Sequence, residues 1–256
     1  MEVGISLEKA KALVSKNIFT LSSESINLSD ANGRILSKSL ISKVNDPRFD
    51  NSAMDGWAVI EEDCNLNGET ELIIKGEIQA GTENPPSIKS GEAYKITTGA
   101  PIPDGANAIV IREDSRVEGN NVIINGPARK SYIRIKGENL SLGVKAISEG
   151  TQMSASTISL AATMGYDEIE VYRKPTIGVI STGDELVMPN SKINDWQIYE
   201  SNSFGIAALI EQMGGTPIRY GIVTDSINQL RETLDKASRE CDAIITTGGV
   251  SMGDWD

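Results

Sequence analysis

At 256 residues, with 39% hydrophobic and 23% charged side chains, the chain is long enough for two or three small domains and has the make-up of an ordinary globular protein. Its formal net charge of -12 argues against a nucleic-acid groove or an anionic membrane surface as principal partner. Two cysteines far apart in sequence, Cys64 and Cys241, suggest neither a disulfide framework nor a thiolate zinc site, and the lack of histidine leaves any chemistry to carboxylates in a reducing cytoplasm.

The chain opens on a short amphipathic helix starting at Ser6, without the basic start and apolar run of a signal peptide, and no later segment approaches the length of a membrane span. A turn around Asp30 to Gly33 leads into an extended run from Arg34 to Val44, closed by Pro47. From Trp57 to Pro127 the runs WAVI, ELIIKGEI, AYKITT, NAIVIRE and NVIIN, separated by Gly, Pro and Asn clusters, predict a small β-rich domain. After Tyr132 comes a helix ending at Gly165 and a strand near Ile169 to Tyr172. The simplest arrangement packs that segment beside residues 1–48.

From Lys174 the strands TIGVIS, TPIRYGIV and DAIITT alternate with helices, which predicts a parallel, doubly wound sheet. One helix runs from about Asn202 to Met213, and the next opens with a capping box of Ser226 and Gln229 and carries Ile227, Leu230, Leu234 and Ala237 on one face. Strands of such a sheet end along one edge, so the loops TGDEL, Thr224-Asp225 and GGVSMGDWD should face one crevice. That edge gathers Asp184, Glu185, Asp225, Asp254 and Asp256 beside glycine-rich backbone, a setting able to hold a hard cation such as Mg²⁺ together with a phosphate. Taken singly the signals are weaker. Asp225 could cap a helix, Gly-Asp-Glu is common turn chemistry, and the glycine-rich loop lacks the lysine of a P-loop. A second cluster, Asp50, Asn51, Ser52 and Asp55, reads from composition as a tight Asx turn, and Thr97 and Thr98 as loop hydroxyls within reach of a phosphate.

Five segments, FDNSAMDGWAV, TTGAPIPDGANAIV, KGENLSLG, STGDEL and GGVSMGDWD, occur in the order and approximate spacing of the molybdopterin molybdenumtransferase family, which includes the C-terminal domain of gephyrin. The chain resembles that family from about Leu7 to Asp256. The resemblance implies a discontinuous mixed helix/strand N-terminal domain (1–48 and 132–172), an inserted β-rich domain (49–131), and a partial doubly wound α/β molybdopterin-binding domain (173–256). It also implies a cytoplasmic homodimer with a cleft between the strand-edge loops of one subunit and the β-rich domain of the other. The implied reaction inserts molybdate into adenylylated molybdopterin with Mg²⁺-dependent release of AMP. Asp55, Glu185 and Asp225 are then the catalytic set, with Glu185 and Asp225 holding Mg²⁺. The expected substrate contacts are Ser52, Thr98, Gly183, Asp184, Gly248, Gly249, Ser251 and Asp254.

Two features depart from the family. Asn139 stands where many members carry aspartate. A lysine-bearing segment and a C-terminal β domain are absent from the sequence, which therefore reads as a fragment of an enzyme. The competing readings are a pterin adenylyltransferase, which shares a GGVSxG-type loop but lacks a counterpart of the N-terminal half, and a non-catalytic scaffold or binding module.

Overall fold

The computed structural model describes residues 5–65 and 68–248, so Gly249, Ser251, Asp254 and Asp256 lie outside the described residues. Four α-helices are present among them: α1 (Leu7–Asn17), α2 (Ala155–Thr163), α3 (Asn202–Gln212) and α4 (Ile227–Glu240). None is long and apolar enough to cross a membrane. The α1 start is the predicted one, with the Ser6 hydroxyl accepting the Lys9 N–H at 3.2 Å. Helix α2 stops before Gly165, whose φ of +86° is open to glycine at little cost. The chain forms two compact units, Met1–Lys38 with Glu149–Ile158 and Glu168–Asp256, and Ser39–Ser148 with Ser159–Asp167.

In the first unit, strand Ser23–Asn27 pairs antiparallel with Glu168–Tyr172, opposing Ile26 to Ile169. Helix α1 buries none of its side chains and leaves Leu7, Leu13 and Val14 exposed, and Ile18 just after it is exposed too. The rest of this unit is the predicted parallel sheet. Strand Thr176–Thr182 lies at its centre, flanked by Thr216–Val223 and Ala243–Thr247. Ile180, Val223 and Ala237 form its buried core, with Leu230, Leu234, Tyr220 and Ile244 packed around them. The face expected of α4 is therefore formed by Leu230, Leu234 and Ala237, but Ile227 is 78% exposed. In the first turn of a helix a side chain at that position has no preceding turn to lie over. The expected capping box is also absent. Ser226 makes no side-chain cap bond, and Gln229 Oε1 instead accepts the Thr224 hydroxyl at 2.6 Å. The loop hydroxyl reaches the amide at hydrogen-bond length, so the reciprocal box does not form. A loop after the central strand carries an exposed Trp196.

The second unit is built on a six-stranded mixed sheet, in spatial order Ala108–Ile111, Gly56–Val59, Glu92–Ile96, Thr70–Ile78, Asn121–Ile124 and Ser115–Glu118. The first five contain the five apolar runs read from the sequence. The sixth, SRVE, escapes such a reading because its single apolar residue, Val117, is exposed on an edge. Alternation sorts the side chains onto two faces. Trp57, Val59, Leu72, Val110, Val122 and Ile124 fill one, and Ala58, Ile78, Ile96, Ala100 and Ile109 the other. Buried clusters lie on both faces, and strands Gly56–Val59 and Ala108–Ile111 are apolar throughout, whereas the central strands Thr70–Ile78 and Glu92–Ile96 alternate buried apolar residues with exposed Glu and Lys. Gly56 sits where a Cβ would lie 1.9 Å from the Val110 carbonyl oxygen, and this close approach brings Asp55 to the strand's start.

Candidate functional site

At the carboxyl edge of the parallel sheet, Thr182 is in register with Val223, and Ser181 with Thr247, so the three following loops leave within about one residue of each other. The Gly183 N–H donates to Val223 O at 3.3 Å, and the Asp225 N–H donates to Asp184 Oδ1 at 3.2 Å, tying the first loop to the second. The Thr182 hydroxyl donates to Thr247 O at 3.2 Å, tying the first strand's end to the third's. Gly248 begins the third loop with φ +91°, and a Cβ there would meet Thr182 O at 2.4 Å. The chain can come this close only without a side chain. Glu185 curls back over Gly183, since a Cβ on that glycine would fall 2.5 Å from Glu185 Oε2.

Gly183, Asp184, Glu185, Asp225 and Gly248 are thus brought to one edge. Asp184, Glu185 and Asp225 are all exposed. Among the described residues, the carboxylates of Glu185 and Asp225 accept no hydrogen bond, so Asp225 is not a helix cap and both remain open to a ligand. Among those residues there is no group of three His, Cys, Asp or Glu side chains arranged to hold a metal. Two open carboxylates instead match the usual mode for Mg²⁺, which takes one or two carboxylates and completes its shell with substrate phosphates and water.

The second predicted cluster lies in the β-rich unit. Asp55 precedes strand Gly56–Val59 and Thr98 follows strand Glu92–Ile96, next to it in the sheet. Asp55 Oδ1 accepts both the Thr98 N–H at 2.7 Å and the Thr98 hydroxyl at 3.0 Å. These bonds, the backbone one foremost, hold the Asp55 carboxyl below the usual carboxylate range against the opposing effect of burial, and the Arg112 charge adds to them. Asp55 is therefore an anchored anion with Oδ2 unengaged. Ser52 is different. It is 0% exposed, and its hydroxyl donates to Met54 O at 2.6 Å, so in this structure it holds the turn that presents Asp55.

Sequence reading missed the surroundings of Asp55. A cleft of about 510 Å³ opens beside it, lined by Trp57, Lys95, Thr97, Arg112 and Arg116. Lys95 and Arg116 are paired with Glu77 and Glu69, whereas Arg112 makes no ion pair among the described residues. Its only signal in sequence is a lone basic residue closing an apolar strand. Asn139, the family departure, donates from Nδ2 to Asp46 Oδ2 at 3.2 Å and from its backbone N–H to Asp46 O at 3.0 Å. The amide thus supplies a donor to a neighbouring carboxylate, which an aspartate could not.

Comparison with known proteins shows what the chain as a whole is similar to. The MoeA N-terminal region (domain I and II) matches residues 5–165, and a probable molybdopterin binding domain matches residues 178–256. The molybdopterin molybdenumtransferase of Nostoc sp. is 39% identical over 91% of this chain and 54% of its own length. That of Haemophilus influenzae is 33% identical over 98% of this chain and 63% of its own. A crystal structure of the molybdopterin biosynthesis MoeA protein of Pyrococcus horikoshii superposes with TM-score 0.87 at 31% identity, covering 95% of this chain and 66% of that one. The chain spans about half to two thirds of the length of these relatives. The long N-terminal match is the feature that a lone pterin adenylyltransferase domain would lack. Since the N-terminal region alone accounts for more than half of its residues, the chain belongs to the MoeA family.

Proposed function

We propose that the protein acts in molybdenum cofactor biosynthesis as a molybdopterin molybdenumtransferase, inserting molybdate into adenylylated molybdopterin with release of AMP. The observation that carries this reading is the meeting of Gly183, Asp184, Glu185, Asp225 and Gly248 at one sheet edge, within the segment similar to a molybdopterin binding domain. The glycines bring backbone close enough to cradle a phosphate, and the exposed carboxylates supply the oxygen ligands a hard cation needs. Glu185 and Asp225 would hold Mg²⁺, which when bound offsets charge on the leaving phosphate. Asp184, with Oδ1 engaged by the Asp225 N–H, orients the loop that carries Glu185. In the β-rich unit, Asp55 is kept ionised and fixed by Thr98, as a group that orients a bound substrate must be.

The test is AMP release from adenylylated molybdopterin, molybdate and Mg²⁺ by the full-length protein. Glu185→Gln, which keeps the shape and removes the charge, should lower turnover by ~100-fold, the scale of losing one electrostatic stabiliser at a reacting centre. Unchanged turnover in that variant would remove Glu185 from the mechanism, and no AMP from the wild type would defeat the enzyme reading. We also propose a homodimer, supported by the apolar side chains Leu7, Val14, Ile18 and Phe19 left exposed on and just after α1. Sedimentation as a monomer at micromolar concentration would reject it. A reducing cytoplasmic setting is supported by Cys64 and Cys241, both free thiols.

A further inference from the structure

Behind the sheet edge lies a buried carboxylate that the reaction above does not use. Glu200 is 2% exposed and stands two residues before α3. Its Oε1 accepts the Ser203 N–H at 2.7 Å and the Ser181 hydroxyl at 3.0 Å. Its Oε2 accepts the Ser203 hydroxyl at 2.7 Å and faces the Arg219 guanidinium at 3.6 Å. Arg219 in turn donates from Nε to the Ser203 oxygen at 2.8 Å and lies over the Phe204 ring at 3.3 Å. Burial pushes the Glu200 carboxyl up, but the Ser203 and Ser181 donors and the Arg219 charge outweigh it and keep the group ionised.

The chain of donors has a direction. An ionised carboxylate only accepts, so Ser181 must give its single hydroxyl proton to Glu200. The Ser181 oxygen is then left as an acceptor, and it takes the Thr247 hydroxyl at 3.2 Å. Thr247 is the last residue of the third strand, and its carbonyl is held by the Thr182 hydroxyl. Both the side chain and the carbonyl of the residue preceding Gly248 are therefore pinned, one of them by a relay that begins at Glu200.

The geometry points to Glu200 as a positioning residue for pterin binding, one that fixes the orientation of Thr247 through Ser181 and so sets where Gly248 leaves the sheet. This rests on the functional reading above for the identity of the ligand, though not for the relay itself. Glu200→Gln is the sharpest probe. It preserves volume but removes the charge. With its oxygen kept on the Ser203 N–H, its amide Nε2 would stand as a donor opposite the Ser203 hydroxyl and Arg219 where Oε2 accepts, loosening the anchor that the Ser181 bond depends on.

Two measurements on the chain decide it. Without ligand, Glu200→Gln, Ser181→Ala and Thr247→Val should each shift the amide resonances of Thr247 and Gly248. Unmoved resonances in Ser181→Ala and Thr247→Val overturn the relay, and these two variants keep the carboxylate should Glu200→Gln fail to fold. With molybdopterin under anaerobic titration, Glu200→Gln and Ser181→Ala should each weaken binding by ~10-fold, and the double variant should bind no worse than the weaker single one, because the two residues act as one unit. Additive losses, or wild-type affinity in both singles, overturn the positioning role. Failure of the wild type to bind molybdopterin would instead sink the functional reading and leave the relay to the amide shifts.

Discussion

The two sheets of this protein present acidic residues by opposite means. In the β-rich unit apolar side chains cover both faces, and Asp55 is locked to Thr98 at the end of a rigid strand pair. In the parallel sheet the apolar core is thin, a buried polar knot of Ser181, Glu200 and Ser203 lies at one end, and the exposed carboxylates of Glu185 and Asp225 are left unengaged. A carboxylate that orients a substrate gains from being fixed beforehand, whereas one that receives a cation must keep its oxygens open. Under the function proposed above, the difference in packing matches that difference in task.

The comparison breaks most completely at Gly56. Gly56→Val should destabilise the six-stranded sheet by ~3 kcal/mol, because no rotamer removes the Cβ from the Val110 carbonyl. Urea unfolding would measure it, and a loss near zero would mean the two strands can separate without cost. On the other side, Ile180→Ala removes most of a side chain with no exposure from the thinner core and should cost about 3 kcal/mol in the same assay. A clearly smaller value would show that the parallel sheet depends more on its polar knot than on its apolar contacts.

Next in size is the Arg173–Asp242 pair, in which Asp242 also accepts the Thr176 N–H at 2.8 Å. The Arg173 hydrogen bonds hold the Asp242 carboxyl below the usual carboxylate range, outweighing burial. A group depressed on folding contributes stability above its unfolded value and loses it as pH falls through its folded value. Asp242→Asn should therefore cost about 2 kcal/mol at neutral pH and flatten the acid limb of the stability curve below pH ~4. An unchanged acid limb would count against the pair. The smallest effect is expected at Asn139. Asn139→Asp would set a second carboxylate against Asp46, for a loss within ~0.5 kcal/mol that shrinks with added salt.

Much of the scaffold is legible in the sequence because period-two runs and strand–helix alternation are local signals. Five of the six strands of the β-rich sheet, and the meeting of three parallel strand ends at one edge, follow from them. What is not legible depends on distant partners. The strand Ser115–Glu118 is defined by its neighbour Asn121–Ile124 and by no pattern of its own. Gln229 reads as half of a capping box until Thr224 engages it. Glu200 has no pattern in the sequence to mark it, and its burial requires Ser181 from one strand and Arg219 from another. Likewise the cleft beside Asp55 needs Lys95, Arg112 and Arg116 from separate strand ends.

The placement of the indoles has a practical consequence. Trp57 is 4% exposed, with its Nε1–H donating to Ser115 Oγ at 2.8 Å, while Trp196 is 66% exposed. With Trp255 replaced by phenylalanine, the two remaining chromophores would differ in emission maximum and in quenching by acrylamide. Each half of the chain would then carry its own optical reporter, and melting of one could be followed while the other stays dark to the change.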